Sequence, residues 1–138
     1  MNIFSSSKSL TSIAMAKLVD SRVINYDMEI EDIWPEFAAN GKIGGKICDL
    51  MRHELGIPTL DKAIGHDDIL IENIKQNKIG EVIVEQTFKD PPGRTREYHF
   101  FTRGWIANEI FRRCEPNRRT IGEYLRSEVS EKLVQMPT

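Results

Sequence analysis

The stretch 81–102 constrains the fold of this chain most. Residues 81–88 are rich in Val, Ile, Thr and Phe, and Val82, Val84, Gln86 and Phe88 share one side of an extended chain. Asp90-Pro91-Pro92-Gly93 is a turn sequence, because Pro fixes φ and Gly permits a left-handed residue. Residues 95–102 then alternate, with Arg96, Tyr98, Phe100 and Thr102 on one face and His99 on the other. Two β-rich runs around such a turn predict an antiparallel hairpin with a connection longer than two residues.

Helical patterns flank this segment. Residues 10–19 and 29–40 read as helices, and Gly44-Gly45 opens a third in which Ile47, Leu50, Met51 and Leu55 repeat at three and four. Residues 67–77 fit either a buried helix or a strand. Ile106, Ile110 and Cys114 predict a helix over 105–114, stopped by Pro116. Thr120 and Glu123 form a capping box at the start of the last helix. The expected fold class is α+β: one domain over 1–138, helical over 10–77, with a β-hairpin or small antiparallel sheet over 81–102, then helical over 105–134. A length of 138 residues suits one domain.

Charge is unevenly spread. Residues 1–69 hold 7 basic and 11 acidic side chains, residues 70–138 hold 12 and 10. Between 94 and 119 there are seven arginines and no lysine, interleaved with aromatic residues. Arginine forks suit two-point contact with carboxylates and phosphates. The expected binding residues are therefore Arg94, Arg96, Tyr98, His99, Arg103, Trp105, Arg112 and Arg113, gathered around the hairpin and the helix after it. His99 sits between two aromatics on the face that also carries Glu97.

No P-loop, nucleophile elbow, His-Glu-x-x-His or paired Cys-x-x-Cys is present. Gly41-Lys42-Ile43-Gly44-Gly45 could turn backbone N–H groups toward an anion, and His66-Asp67-Asp68 reads as a helix start rather than a metal cluster. Neither a metal nor a cofactor is expected. Residues 5–12, rich in Ser and Thr, read as the lead into the first helix and an ordinary cytosolic start. No run approaches the ~20 apolar residues of a membrane helix. Cys48 and Cys114 read as reduced thiols packed as small apolar groups.

From residue 81 on, the layout resembles the chorismate lyase family and the related effector-binding domains of bacterial transcription regulators. The shared pieces are a strand over 82–88, a turn over 89–93, a strand over 95–102, a helix over 105–114, and Thr120-Ile121-Gly122-Glu123-Tyr124-Leu125. The resemblance implies an antiparallel sheet around an aromatic carboxylate held by arginines, with Arg96 and Arg103 as its partners. The family's strand arginine and late glutamate have no counterpart here, so binding without catalysis is implied. The reading is a regulatory small-molecule module for an anionic aromatic or keto acid, cytoplasmic, with the question of enzymatic activity open. The alternatives are a nucleic-acid-binding regulator using 94–119 and an assembly factor, with a second copy of the chain as candidate partner.

Overall fold

The computed structural model describes residues 3–134, so the ends of the domain expected over 1–138 lie outside it. Its elements are helical: α1 (Lys8–Asp20), α2 (Ile30–Ile33), α3 (Ile47–Met51), α4 (Ile71–Lys75), α5 (Lys78–Glu85), α6 (Thr102–Cys114), α7 (Ile121–Leu125) and α8 (Glu131–Val134). A short 3₁₀ turn, Phe4–Ser7, runs into α1, another covers Pro35–Gly41, and a π turn, Arg126–Ser130, joins α7 to α8. The β content among the described residues is one isolated antiparallel bridge between Glu29 and Lys46.

Helix α6 is the axis of the fold. It packs on α1, α2, α3, α5 and α7. Its buried face carries Ile106, Ala107, Ile110 and Phe111. Ala14, Met15 and Leu18 of α1, Ile30 of α2, Trp34 and Phe37 from the segment after it, Ile47 and Leu50 of α3, and Ile79 and Ile83 of α5 pack into the same core, with Ile24, Leu55, Ile57 and Ile121. Trp34 and Phe37 meet as tilted rings at 5.4 Å, and Phe111 meets Tyr124 edge-on at 5.1 Å.

The expected α+β class with its hairpin over 81–102 is corrected here. The first half of the hairpin is helix α5. Ile79, Val82 and Ile83 are the buried apolar side chains of that helix, an i, i+3, i+4 set, beside the buried Gly80. Burial against α6 and the Pro35–Gly41 turn outweighs the strand preference of three β-branched residues, because propensity spans under about 1 kcal/mol per residue. The helix stops at Glu85, where Asn40 Nδ2 donates to the Val84 and Glu85 carbonyls. The fully buried Lys42 ammonium donates to the carbonyls of Ala39, Val84 and Gln86. The helix end is thus capped by side chains from the preceding turn.

The second half of the hairpin joins no sheet among the described residues: 95–99 have no regular secondary structure, 100–101 are a turn, and Thr102 opens α6. The partner of this segment is the loop after α3. Glu97 N–H donates to the His53 carbonyl at 3.0 Å, Gly93 N–H to Glu54 at 2.9 Å, and Lys89 N–H to Gly56 at 2.7 Å. Gly56 has φ +83°, and a Cβ there would lie 2.1 Å from the Asp90 carbonyl oxygen, so only glycine lets the two loops approach. Residues 67–77, ambiguous in the sequence, are a 3₁₀ turn followed by α4. The capping box forms: Thr120 Oγ1 accepts from Glu123 N–H, and the Glu123 carboxylate accepts from Thr120 N–H at 2.9 Å.

Candidate active site

The site begins with four consecutive residues, Ser5-Ser6-Ser7-Lys8. Phe4 has φ +43°, a left-handed residue immediately before Ser5, and such strain collects where a reactive side chain must be aimed. Ser5 to Ser7 then form the 3₁₀ turn that enters α1. A 3₁₀ turn has three residues, so side chains at i and i+3 eclipse. Ser5 and Lys8 therefore stand one above the other, and the Lys8 ammonium donates to Ser5 Oγ at 3.3 Å.

A third group arrives from far along the chain. Tyr98 Oη is 2.7 Å from the same Ser5 Oγ, across 93 residues of sequence. Hydrogen bonds from Ser5 and Lys8, then the Lys8 and Arg103 charges, hold the Tyr98 hydroxyl below its usual pKa. The Lys8 ammonium also lies 5.0 Å from the centroid of the Tyr98 ring and 5.2 Å from that of Phe100, a cation held against two aromatic rings. Ser5 is exposed, so the cluster is open to a reagent.

Tyr98 is positioned by two histidines. The His53 ring lies 4.8 Å from the Tyr98 ring, and its Nδ1 accepts the His99 N–H at 3.0 Å. His99 is fully buried. Its Nε2 accepts the Ile57 N–H at 3.1 Å, and its Nδ1 faces the Glu97 carbonyl at 2.5 Å. A donor on one side and an acceptor on the other fix a neutral ring with the proton on Nδ1. Burial pushes the His99 pKa down.

His53 is also held neutral. Burial, then the charges of Arg103, His99, Lys8 and Arg96, lower its pKa from 6.5 to about 4. Above pH 6.5 the ring is neutral in both folded and unfolded chains. As pH falls from 6.5 to about 4 the unfolded chain takes up a proton that the folded chain refuses, so stability declines across that window. Tm measured from pH 7.5 to 4 should therefore fall more steeply in the parent than in a His53→Asn variant. Asparagine tolerates the left-handed φ of +64° at this position and still offers an acceptor to His99. Equal slopes would exclude this role for His53.

Two cavities adjoin the cluster. The first, about 410 Å³, is lined by Ser5, Lys8 and Thr11 on one side and Phe100, Phe101 and Trp105 on the other. The second, about 840 Å³, is lined by Pro58, Leu60, Ile64 and Ile69 and shares Phe100, Phe101 and Trp105 with the first. Phe100 and Phe101 meet edge to face at 4.4 Å and form the wall between them.

The residues expected to bind a ligand are dispersed by this arrangement. Tyr98 and Trp105 border the Ser5 cluster or its cavities. His99 and Arg103 are buried beneath it. Arg94 is exposed on the turn after Pro91-Pro92. Arg96 places two donors on the Glu54 carboxylate, at 2.7 and 3.0 Å. Arg112 and Arg113 both clasp Glu109, and Arg113 also reaches Glu36 at 3.1 Å. Much of the arginine-rich segment is thus spent on carboxylates of the same chain. Ser5 and Lys8 are not among the expected residues, although their three-residue spacing stands in the sequence, inside the Ser-rich run read as a lead into α1. Among the described residues no cluster of His, Cys, Asp or Glu could hold a metal ion.

A Ser-x-x-Lys pair at the start of a helix is the nucleophile arrangement of β-lactamases and penicillin-binding proteins. Similarity to known proteins agrees. The beta-lactamase family model matches residues 1–137, and the chain belongs to that family. It is 31% identical over 113 residues to the esterase/beta-lactamase LipL of Mycobacterium tuberculosis (strain ATCC 25618 / H37Rv), covering 80% of this chain and 24% of LipL. Its fold matches a penicillin-binding protein homologue from Caulobacter crescentus with a TM-score of 0.79 and 30% identity, covering 95% of this chain and 34% of that one. A family VIII carboxylesterase matches with a TM-score of 0.76 and 27% identity over 87% of this chain and 31% of the other. The chain therefore spans between a quarter and about a third of the length of these relatives.

These matches overturn the resemblance to chorismate lyase and to regulator effector domains. The strand–turn–strand layout that carried it is a helix, a turn and an irregular loop running into α6. With it go the readings as a regulatory anion-binding module and as a nucleic-acid-binding regulator or an assembly factor, and the anionic small molecule and nucleic acid named as partners. Among the described residues no helix is long and apolar enough to cross a membrane.

Proposed function

We propose that this chain carries the nucleophile of a serine hydrolase acting on carboxylic esters. The observation that carries the reading is the convergence of Lys8 Nζ and Tyr98 Oη on Ser5 Oγ. A serine hydroxyl is a weak nucleophile until a neighbouring base takes its proton. Tyr98 as phenolate accepts that proton while the Lys8 ammonium balances the phenolate charge. Ser5 Oγ attacks the ester carbonyl carbon, the carbonyl oxygen gathers the negative charge, and the bond to the alcohol oxygen breaks as Tyr98 returns the proton to it. The acyl group then rests on Ser5. Water, losing a proton to the same base, attacks the acyl carbon; the bond to Ser5 Oγ breaks, Tyr98 returns the proton to that oxygen, and the acid leaves.

An ester is favoured by the apolar wall of Phe100, Phe101 and Trp105 between the two cavities, which suits a neutral substrate with an apolar acyl or alcohol group. The names of LipL and of the family VIII carboxylesterase point the same way. The test is covalent. Incubation with a fluorophosphonate, followed by peptide mass spectrometry, should place the adduct on Ser5 and on neither Ser6 nor Ser7, and Ser5→Ala should remove it. A label spread over all three serines, or none, would reject the assignment.

A further inference from the structure

Arg103 stands on the first turn of α6, five residues after Tyr98, and is 4% exposed. It is the one arginine of the 94–119 segment that is both buried and without a carboxylate partner among the described residues. Its Nη2 donates to Ser12 Oγ at 2.8 Å, and the Ser12 hydroxyl donates to the Lys8 carbonyl at 3.0 Å. This short chain of hydrogen bonds ends on the residue whose ammonium touches Ser5. Its Nε donates to the Met51 carbonyl at 3.4 Å, two residues before His53, whose ring lies against Tyr98. Its Nη1 is buried with no hydrogen-bond partner among the described residues. A buried guanidinium without a counter-ion is costly, and an apolar side chain would fill the same space at less cost. A charge kept in such a place needs a reason beyond packing.

We propose that Arg103 is a positioning residue of the serine site: it fastens the Lys8 turn of α1 to the loop beneath Tyr98, and adds a buried positive charge to the field in which the Tyr98 hydroxyl ionises. The groups facing Tyr98 are Ser5 and Lys8 from the entry to α1, His53 from the loop after α3, and Arg103 from α6. Burial lowers the pKa of Arg103, and Tyr98 acts against that loss. The coupling is reciprocal, since Arg103 is among the charges that lower Tyr98. His53 is lowered by the same guanidinium. One cation therefore favours a neutral His53 and an ionisable Tyr98 together.

The proposal rests on the hydrolase reading for its consequence, and its first test does not depend on activity. The chain has three tyrosines, Tyr26, Tyr98 and Tyr124. Ultraviolet titration of tyrosinate in the parent and in Tyr98→Phe assigns the Tyr98 step by difference. In Arg103→Met that step should move up toward the ordinary value of 10.0. Labelling of Ser5 by the fluorophosphonate should slow by about 100-fold, the cost of a small misplacement of reacting groups. Arg103→Lys keeps the charge and loses the planar fork. It should leave the Tyr98 step near that of the parent and still slow the labelling. It also decides the matter if Arg103→Met fails to fold by circular dichroism. A parental Tyr98 step in folded Arg103→Met, or parental labelling in either folded variant, would overturn the proposal. If the parent itself is not labelled, the hydrolase reading fails, and the titration alone still decides whether Arg103 acts on Tyr98.

Discussion

Lys8→Ala should lower the hydrolysis of a p-nitrophenyl ester by about 10³-fold, roughly 4 kcal/mol of transition-state stabilisation, while leaving the fold intact. The side chain projects from the first residue of α1 onto Ser5 and the rings of Tyr98 and Phe100, and Lys8 is not part of the buried core cluster. Its loss removes the charge that balances a Tyr98 phenolate and the donor that fixes Ser5 Oγ. Tyr98→Phe should cost a comparable factor, because it removes the hydroxyl placed 2.7 Å from Ser5 Oγ. The double variant should be little worse than either single one, since groups that act as a unit are strongly non-additive. Rates within tenfold of the parent for either single variant would mean that Ser5, if reactive, draws its base from elsewhere.

Glu109→Ala should be the most destabilising of these substitutions, by about 3 kcal/mol, or roughly 10 °C in Tm for a chain of this length. The carboxylate is buried on α6 and takes hydrogen bonds from Arg112 and Arg113 at 2.7–3.1 Å. Arg113 in turn lies 5.3 Å from the Trp34 ring, which is fully buried. Without Glu109, two guanidiniums about four-fifths covered lose their shared carboxylate, and among the described residues the exposed Glu36 is left to answer Arg113. Breaking one member of a buried pair costs far more than the pair contributes by itself. Denaturant unfolding of the parent and the variant measures the difference. A loss below about 1 kcal/mol would place this cluster with ordinary surface ion pairs.

The same cluster explains why the arginine-rich segment misleads when read as sequence. Glu109, Arg112 and Arg113 are spaced i, i+3 and i+4 on one helix, and that spacing alone encodes internal pairing. Glu115 and Arg119 repeat it, with Arg119 also reaching Glu128 at 3.0 Å. An excess of arginine over lysine is as well suited to partly buried ion pairs within a chain as to a bound anion. The alternation over 95–102 holds for Tyr98, exposed, and His99, buried, and ends there: residues 100–101 are a turn, Phe101 is exposed, and Thr102 is buried at the start of α6. It does not reveal that the neighbour is the loop after α3 rather than a strand at 81–88.

The sequence by itself determined what lies within about one turn of chain. It set the eclipsed Ser5 and Lys8, the capping box of Thr120 and Glu123, the opposite faces of Tyr98 and His99, and the ion pairs along α6. These follow from backbone geometry and short-range hydrogen bonding, which adjacent residues dictate. Only the tertiary structure decided that 78–85 is helix, since its Val and Ile residues fit either period and burial against α6 selected one. Only the tertiary structure brought Tyr98 to Ser5 and buried Arg103 between the Lys8 turn and the His53 loop. Contacts spanning some 50 to 93 residues depend on how whole helices pack, and no local pattern of residues encodes which distant partner a side chain will meet.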